Sequence, residues 1–332
     1  MPKLIAEFQI ELSGHCLVSL PDSENLSFEV EIKGFEVTIQ LLTHPRVVKR
    51  GEEKFINTIE RIILRVGRIE HEIPPELPER ADGVRDYTIQ ELYFSKRVER
   101  YRAIACEALN RVIRFFKFQL HTPFLEEFHQ RTNALGKPKW MDGSGQEVGK
   151  GGMIFFVEKI PGLWGELGVR SLVEGDIPNF QLALKSSGEP KIYDQILAGA
   201  REAIFESNLR RAVVELAMAC EILVKECFFS GKIPALVAIG NLEDRGKVQL
   251  RVLDLIDQVA LEVFGNSFRG EGISHFQHID HLFRCRNKVV HKGKLAYRKD
   301  TGKEETPNEK TLRSWWESVV KLEVWIKQLP TA

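Results

Sequence analysis

One short stretch, His281-Leu-Phe-Arg-Cys-Arg-Asn-Lys-Val-Val-His-Lys-Gly293, sets Arg286, Asn287 and His291 close together. Imidazole takes up and gives back protons near neutral pH, and a guanidinium fork matches the oxygens of a phosphate. The two groups therefore suit the cleavage of a phosphodiester, one moving the proton and the other holding the charge that grows on the phosphorus oxygens. On one helix, positions five apart diverge by about 140°, so Arg286 and His291 point different ways. Asn287 and His291, four apart, share a face. One helix thus carries the parts without assembling them.

The surroundings of this stretch are cationic. From Arg284 to Lys299 there are seven cations, Arg284, Arg286, Lys288, Lys292, Lys294, Arg298 and Lys299, and no acid before Asp300. Cations that neutralise phosphates gain affinity by releasing counterions, and Tyr297, inside the run, is placed to stack on a base. The same cations equally answer the dipole at a helix end. Glu221 shares a helical stripe with Val214, Ala217, Val224 and Phe228. That predicts a half-buried carboxylate that pairs with Arg286 and holds the site in place, or that serves any nearby cation. Glu215 is more simply a surface partner of Arg211 one turn earlier.

His275, His278, His281 and Cys285 recur at spacings of three and four. Ligands strung along two or more turns of one helix cannot converge on one ion, so no metal or other cofactor is expected. Gly149-Lys-Gly-Gly152 lacks the spacing of a Walker A loop and reads as a hairpin turn. Trp315 continues with Val319, Leu322 and Ile326 at helical spacing, which assigns it, with Trp316 and Trp325, to packing rather than to a ligand cage.

These residues lie in the second half of a chain of 332 residues, long enough for about two domains. Hydrophobic residues at 43% and charged residues at 28% are the composition of a folded protein. Lysine plus arginine (47) equals aspartate plus glutamate (47), so any nucleic-acid contact must rest on a local patch. No apolar run approaches a membrane span, and the first residues lack the pattern of a signal peptide, so the expected location is the cytoplasm, without membrane contact. Cys16, Cys106, Cys220, Cys227 and Cys285 are scattered without a CxxC pair, which disfavours a disulfide framework or a zinc ribbon.

Periodicity divides the chain near residue 185. Before it, β-type runs at 26–32, 35–42 and 59–71, an amphipathic helix at 95–120 with a basic back (Arg97, Arg100, Arg111, Arg114), a glycine-rich loop at 136–152 and a strand at 153–157 predict an α+β domain over 1–184. Residues 185–190 read as a linker. After it, helical spacing at 191–205, 209–229, 247–264, 275–292 and 312–329 predicts an all-α bundle over 185–332. Asn208 is placed to cap the second of these helices and Gly231 follows its end. Ser274 with Gln277 forms a capping box for the fourth, which Gly293 can close.

The late-helix Arg286-Asn287 pair with His291, the glycine that follows, and the second-helix text Asn208-Leu-Arg-Arg-Ala-Val-Val-Glu-Leu-Ala-Met-Ala-Cys-Glu-Ile-Leu-Val-Lys resemble HEPN domains. These are the all-helical modules of many prokaryotic toxin and phage-defence RNases and of some eukaryotic ones, with a motif of arginine, four to six residues, and histidine. The resemblance covers roughly residues 188–330 and leaves the first half uncovered. Arg284 also fits the looser spacing; Arg286 is preferred because Asn287 follows it directly.

The resemblance implies a metal-independent endoribonuclease, a toxin or antiviral effector, working as a homodimer in which two such helices line one cleft around a two-fold axis. Arg286, Asn287 and His291 would be catalytic and Glu221 supporting. Arg284, Lys288, Lys292, Lys294, Tyr297, Arg298 and Lys299 would contact RNA. An N-terminal domain would sense a trigger or partner, select RNA or restrain the nuclease. The alternative is a non-catalytic HEPN-like dimerisation or RNA-binding module in which Arg286 and His291 are structural.

Overall fold

The computed structural model describes residues 3–12, 16–20, 25–50, 52–72, 88–122, 124–128, 137–149, 155–156, 170–229 and 250–329, together with residue 135 and a few positions between 236 and 246. The chain divides into two units, residues 1–189 and 190–332.

The first unit is an α+β layer structure. Strands β1 (Lys3–Glu11), β2 (Leu17–Val18), β3 (Asn25–Ile32), β4 (Phe35–Arg50) and β5 (Glu52–Ile69) join β6 (Lys139–Asp142), β7 (Glu147–Gly149) and β8 (Phe155–Phe156) in one sheet. Its main path runs β3-β4-β5-β1-β6-β7 and is antiparallel throughout. Alternation makes the sheet one-sided. Phe35, Val37, Ile39 and Leu41 of β4 are buried, and the register sets Val37 against Val66 and Ile39 against Leu64 of β5. Helix α1 (Thr88–Arg114) covers this face; Tyr101, fully buried, donates its hydroxyl to Glu70 at 2.8 Å.

Several details depart from the sequence reading. The glycine-rich stretch read as a loop contains the β6–β7 hairpin, whose turn is built by Asp142 accepting from the Ser144 and Gln146 amides and by left-handed Gly145. Gly149 ends β7 rather than making that turn, and Lys150, Gly151 and Gly152 lie outside the described residues. Of the strand expected at 153–157, Phe155–Phe156 is described. A helix α2 (Ile177–Lys185) precedes the linker, because Phe180 and Leu184 at helical spacing enter the same core. The basic back of α1 is not free: Arg97 pairs with Glu72, Arg100 with Glu70 and Arg114 with Glu127, while buried Arg111 donates to Glu107 and to the Leu184 carbonyl, both at 2.6 Å.

The second unit is helical. It contains α3 (Ile192–Phe205), α4 (Leu209–Phe229), a helical stretch α5 over 252–264 whose middle, Leu255–Val259, is π-wound, the short α6 (Phe268–Glu271), α7 (Ile273–Lys292) and α8 (Glu309–Gln328). A two-stranded hairpin, β9 (Tyr297–Arg298) with β10 (Glu304–Glu305), links α7 to α8. Helix α4 runs through the middle and buries Leu216, Cys220, Leu223 and Val224 against α3, α7 and α8. Trp315 and Trp325 belong to this core, packed on Tyr297 and Phe268 respectively. Among the described residues, no helix is long and apolar enough to cross a membrane.

Candidate functional site

Helix α7 carries the motif. Phe276, Ile279, Leu282 and Cys285 recur at three and four and are buried, which fixes the rotation of the helix against α4 and α8. Its start differs from expectation: Gly272 stands at the N-terminus without a side-chain cap, and the capping serine is Ser267, which accepts from Gly270 at the start of α6. Ser274 and Gln277 therefore form no capping box, since an additional helix ends immediately before them. The far end is as expected. Gly293 adopts a left-handed conformation (φ 61°), donating to the Val289 carbonyl, and Lys294 reaches back to that of Lys288.

Arg286 turns toward α4 and Glu221, one of the two kinds of partner that the Glu221 stripe left open. Its guanidinium lies 3.9 Å from the Glu221 carboxylate and donates to Asn287 Oδ1 at 3.2 Å. Glu221 itself is held more closely by Lys225, at 3.0 Å, one turn along α4. Beside Arg286 opens a cleft of about 370 Å³ between α4, the start of α5 and α7. Arg286, Asn287 and Glu221 line it, and so do Asp280, Phe283 and Arg284. His291 stands one turn beyond and takes no part in its walls; it and Asn287 are exposed to solvent. Within one chain the structure thus brings Arg286 to Asn287 and Glu221, and leaves His291 apart.

The cationic run, which holds no acid of its own, is largely neutralised by acids outside it. Arg284 binds Asp280, Asp300 (3.0 Å) and the Arg298 carbonyl (2.9 Å). Lys288 and Lys294 share the carboxylate of Glu304, and Lys299 pairs with Glu305 at 2.8 Å. The hydrogen bonds from Lys288 and Lys294 pull the Glu304 carboxyl down to a pKa of about 2. The β9–β10 hairpin causes this, returning two acids alongside the cations they follow in sequence. Arg298 donates to the Gly302 carbonyl, and Lys292 has no ion-pair partner among the described residues.

Tyr297 does not face solvent. It is 5% exposed, edge-on to Trp315, against the His281 ring, with its hydroxyl donating to Glu305 at 3.1 Å. Burial, with Glu305 beside it, pushes its phenol up to about 12. Stacking on a base is excluded because the ring is part of the bundle core.

The histidine row also faces inward. His275 Nδ1 and His278 Nδ1 lie 3.0 and 2.9 Å from the fully buried Ser318 hydroxyl, which is 2.9 Å from the Ser314 carbonyl. A carbonyl only accepts, so the single hydroxyl proton goes there, and both imidazoles must donate from Nδ1. Burial first, then His275 and His281, hold His278 below the ordinary imidazole range. Burial does the same to His281.

Two features escaped the sequence reading. The Asp280–Arg284 pair was visible as an i,i+4 spacing. The far wall of the cleft, with Arg251 and Leu253, was not, since nothing in the sequence relates the start of α5 to α7. Comparison with protein-family models, with curated proteins and with solved structures finds no match for this chain.

Proposed function

We propose that the helical unit is a HEPN-type ribonuclease, in which the exposed end of α7 from two copies of the chain forms one RNA-cutting site. A ribose 2′-hydroxyl attacks the adjacent phosphorus: the new O2′–P bond forms, the P–O5′ bond breaks, the 2′ proton passes to a base and O5′ receives a proton from an acid. Products are a 2′,3′-cyclic phosphate and a 5′-hydroxyl end. His291 is the proton-transfer group, Arg286 holds the charge on the non-bridging oxygens, and Asn287 orients the imidazole or the phosphate. No step calls for a metal ion. In this reading the chain is a cytoplasmic toxin or antiviral effector, and its α+β unit senses a trigger, selects RNA or restrains the nuclease.

One observation carries the reading. Arg286 is held loosely, 3.9 Å from its nearest carboxylate, while Asn287 and His291 on the same helix stand open to solvent. The neutralised cations favour the dimerisation form of the second reading, a non-catalytic module: Arg284, Lys288, Lys294 and Lys299 already have acidic partners. Incubation of the full chain with end-labelled RNA in EDTA separates the two. Cutting is expected, abolished in Arg286→Ala and His291→Ala with circular dichroism unchanged. Equal cutting by His291→Ala refutes the chemistry.

A further inference from the structure

Resting on the ribonuclease reading, we propose that the cleft beside Arg286 is a subsite for one nucleotide of single-stranded RNA, adjacent to the phosphate that is cut. Its volume of about 370 Å³ lies at the small end of ligand sites, the scale of one nucleotide rather than of a helix.

The walls sort by chemistry. Leu253, half-buried at the start of α5, and Phe283 of α7 give an apolar surface against which an unstacked base can lie. Of the three guanidinium groups, two are committed. Arg251 is bidentate to Asp254 (2.9 and 2.7 Å), and Arg284 spends its donors on Asp280, Asp300 and the Arg298 carbonyl. Arg286 gives one hydrogen bond, to Asn287, and faces Glu221 across 3.9 Å, so most of its five donors remain for a phosphate.

The carboxylates set the limit on what enters. Asp280 and Glu221 both line the cleft, so a string of phosphates is repelled while one phosphate at Arg286 is accepted. The same oxygens accept from ribose hydroxyls or from base amino groups. Asn287 presents its amide nitrogen, since its oxygen is taken by Arg286. A base must leave its stack to reach this wall, and therefore duplex RNA is excluded as substrate.

The test measures binding and cutting separately on the full chain. Calorimetric titration with 3′-nucleoside monophosphates is compared with inorganic phosphate, for the unaltered protein, for Leu253→Trp, which fills the cleft, and for Leu253→Glu, which adds a third carboxylate. The nucleotide is expected to bind at least tenfold more tightly than phosphate, with the advantage falling below twofold in both variants and persisting in His291→Ala. Single-stranded oligonucleotides are expected to be cut with at least a tenfold higher KM by the Leu253 variants. Equal binding of phosphate and nucleotide, or an unchanged nucleotide advantage in both variants, overturns the subsite. If RNA is cut equally well by unaltered protein and both Leu253 variants, the subsite falls and the ribonuclease reading stands. Nucleotide binding lost in the variants, with RNA left whole by every preparation, supports the subsite and overturns the ribonuclease.

Discussion

If the end of α7 meets an RNA backbone, Glu304 is its internal competitor, and removing that charge should strengthen binding. Glu304 of β10 holds both Lys288 and Lys294. In Glu304→Gln the amide cannot keep two ammonium groups, so two cations per chain become available to phosphates. For single strands each phosphate contact adds about 0.7 to the slope of log K against log salt, so two contacts steepen it by about 1.4. Across a fourfold change in salt that difference alone changes affinity by about sevenfold. Fluorescence anisotropy with a labelled 2′-O-methyl oligonucleotide, which lacks the attacking hydroxyl, reads binding without cutting from 50 to 200 mM salt. Tighter binding by Glu304→Gln at the lowest salt, with the steeper slope, is expected. An unchanged slope and affinity would refute the idea that these lysines lie on the path of the RNA, since both have lost the acid that occupies them.

Three further outcomes follow from the packing. Tyr297→Ala should cost roughly 3–5 kcal/mol, as for other buried aromatic rings, whereas Tyr297→Phe should cost about 1 kcal/mol and leave anisotropy with RNA unchanged; urea unfolding and the same binding assay check both. Asp194 of α3 has its carboxyl raised to about 6, by burial and then by Glu323. A raised acid is protonated more readily in the folded chain, so stability is lost as pH climbs from the ordinary carboxylate range to about 6, and Asp194→Asn should raise stability by about 1 kcal/mol at pH 7 but not at pH 4. His278 works in the opposite direction: with its folded pKa depressed, stability is lost as pH falls below about 6.5, and thermal scans should show a smaller loss between pH 7 and 5 for His278→Gln.

What the sequence made legible follows from the range of the interactions. The bounds of α4 coincide with its hydrophobic period because each of its turns buries a side chain, and the end of α7 is marked by Gly293, which takes φ 61° without steric cost. The contact of Glu221 with Arg286 was readable because one helical stripe and one neighbouring helix define it. Strand β1 escapes the reading because its alternation of buried Leu4, Ala6, Phe8 and Ile10 is interrupted by apolar Ile5 and buried Glu7 on the intervening positions. The fate of the cationic run was hidden for a different reason. A hairpin with two residues in each strand leaves almost no periodic signal, yet it decides that Glu304 and Glu305 meet Lys288, Lys294 and Lys299, and that Tyr297 is core. Charge counted along a segment is therefore a poor guide to charge presented by it, wherever a reversal follows within about ten residues.

The separation of Arg286 from His291 makes the need for a second copy testable without a structure of the dimer. If one catalytic pair takes its arginine from one chain and its histidine from the other, a mixed dimer of Arg286→Ala with His291→Ala keeps one intact pair, formed by the arginine of the second and the histidine of the first. If each pair lies within one chain, every pair in the mixed dimer is broken. Two inactive proteins, denatured together and refolded at equal amounts, form half mixed dimers, each with one of two pairs intact, so activity should return to about a quarter of the unaltered level. The i,i+5 divergence of about 140° and the absence of His291 from the cleft walls both favour recovery. A refolded mixture that cuts no RNA, while each variant refolded alone regains its circular dichroism and its dimer mass, would place the pair within a single chain or remove His291 from the chemistry.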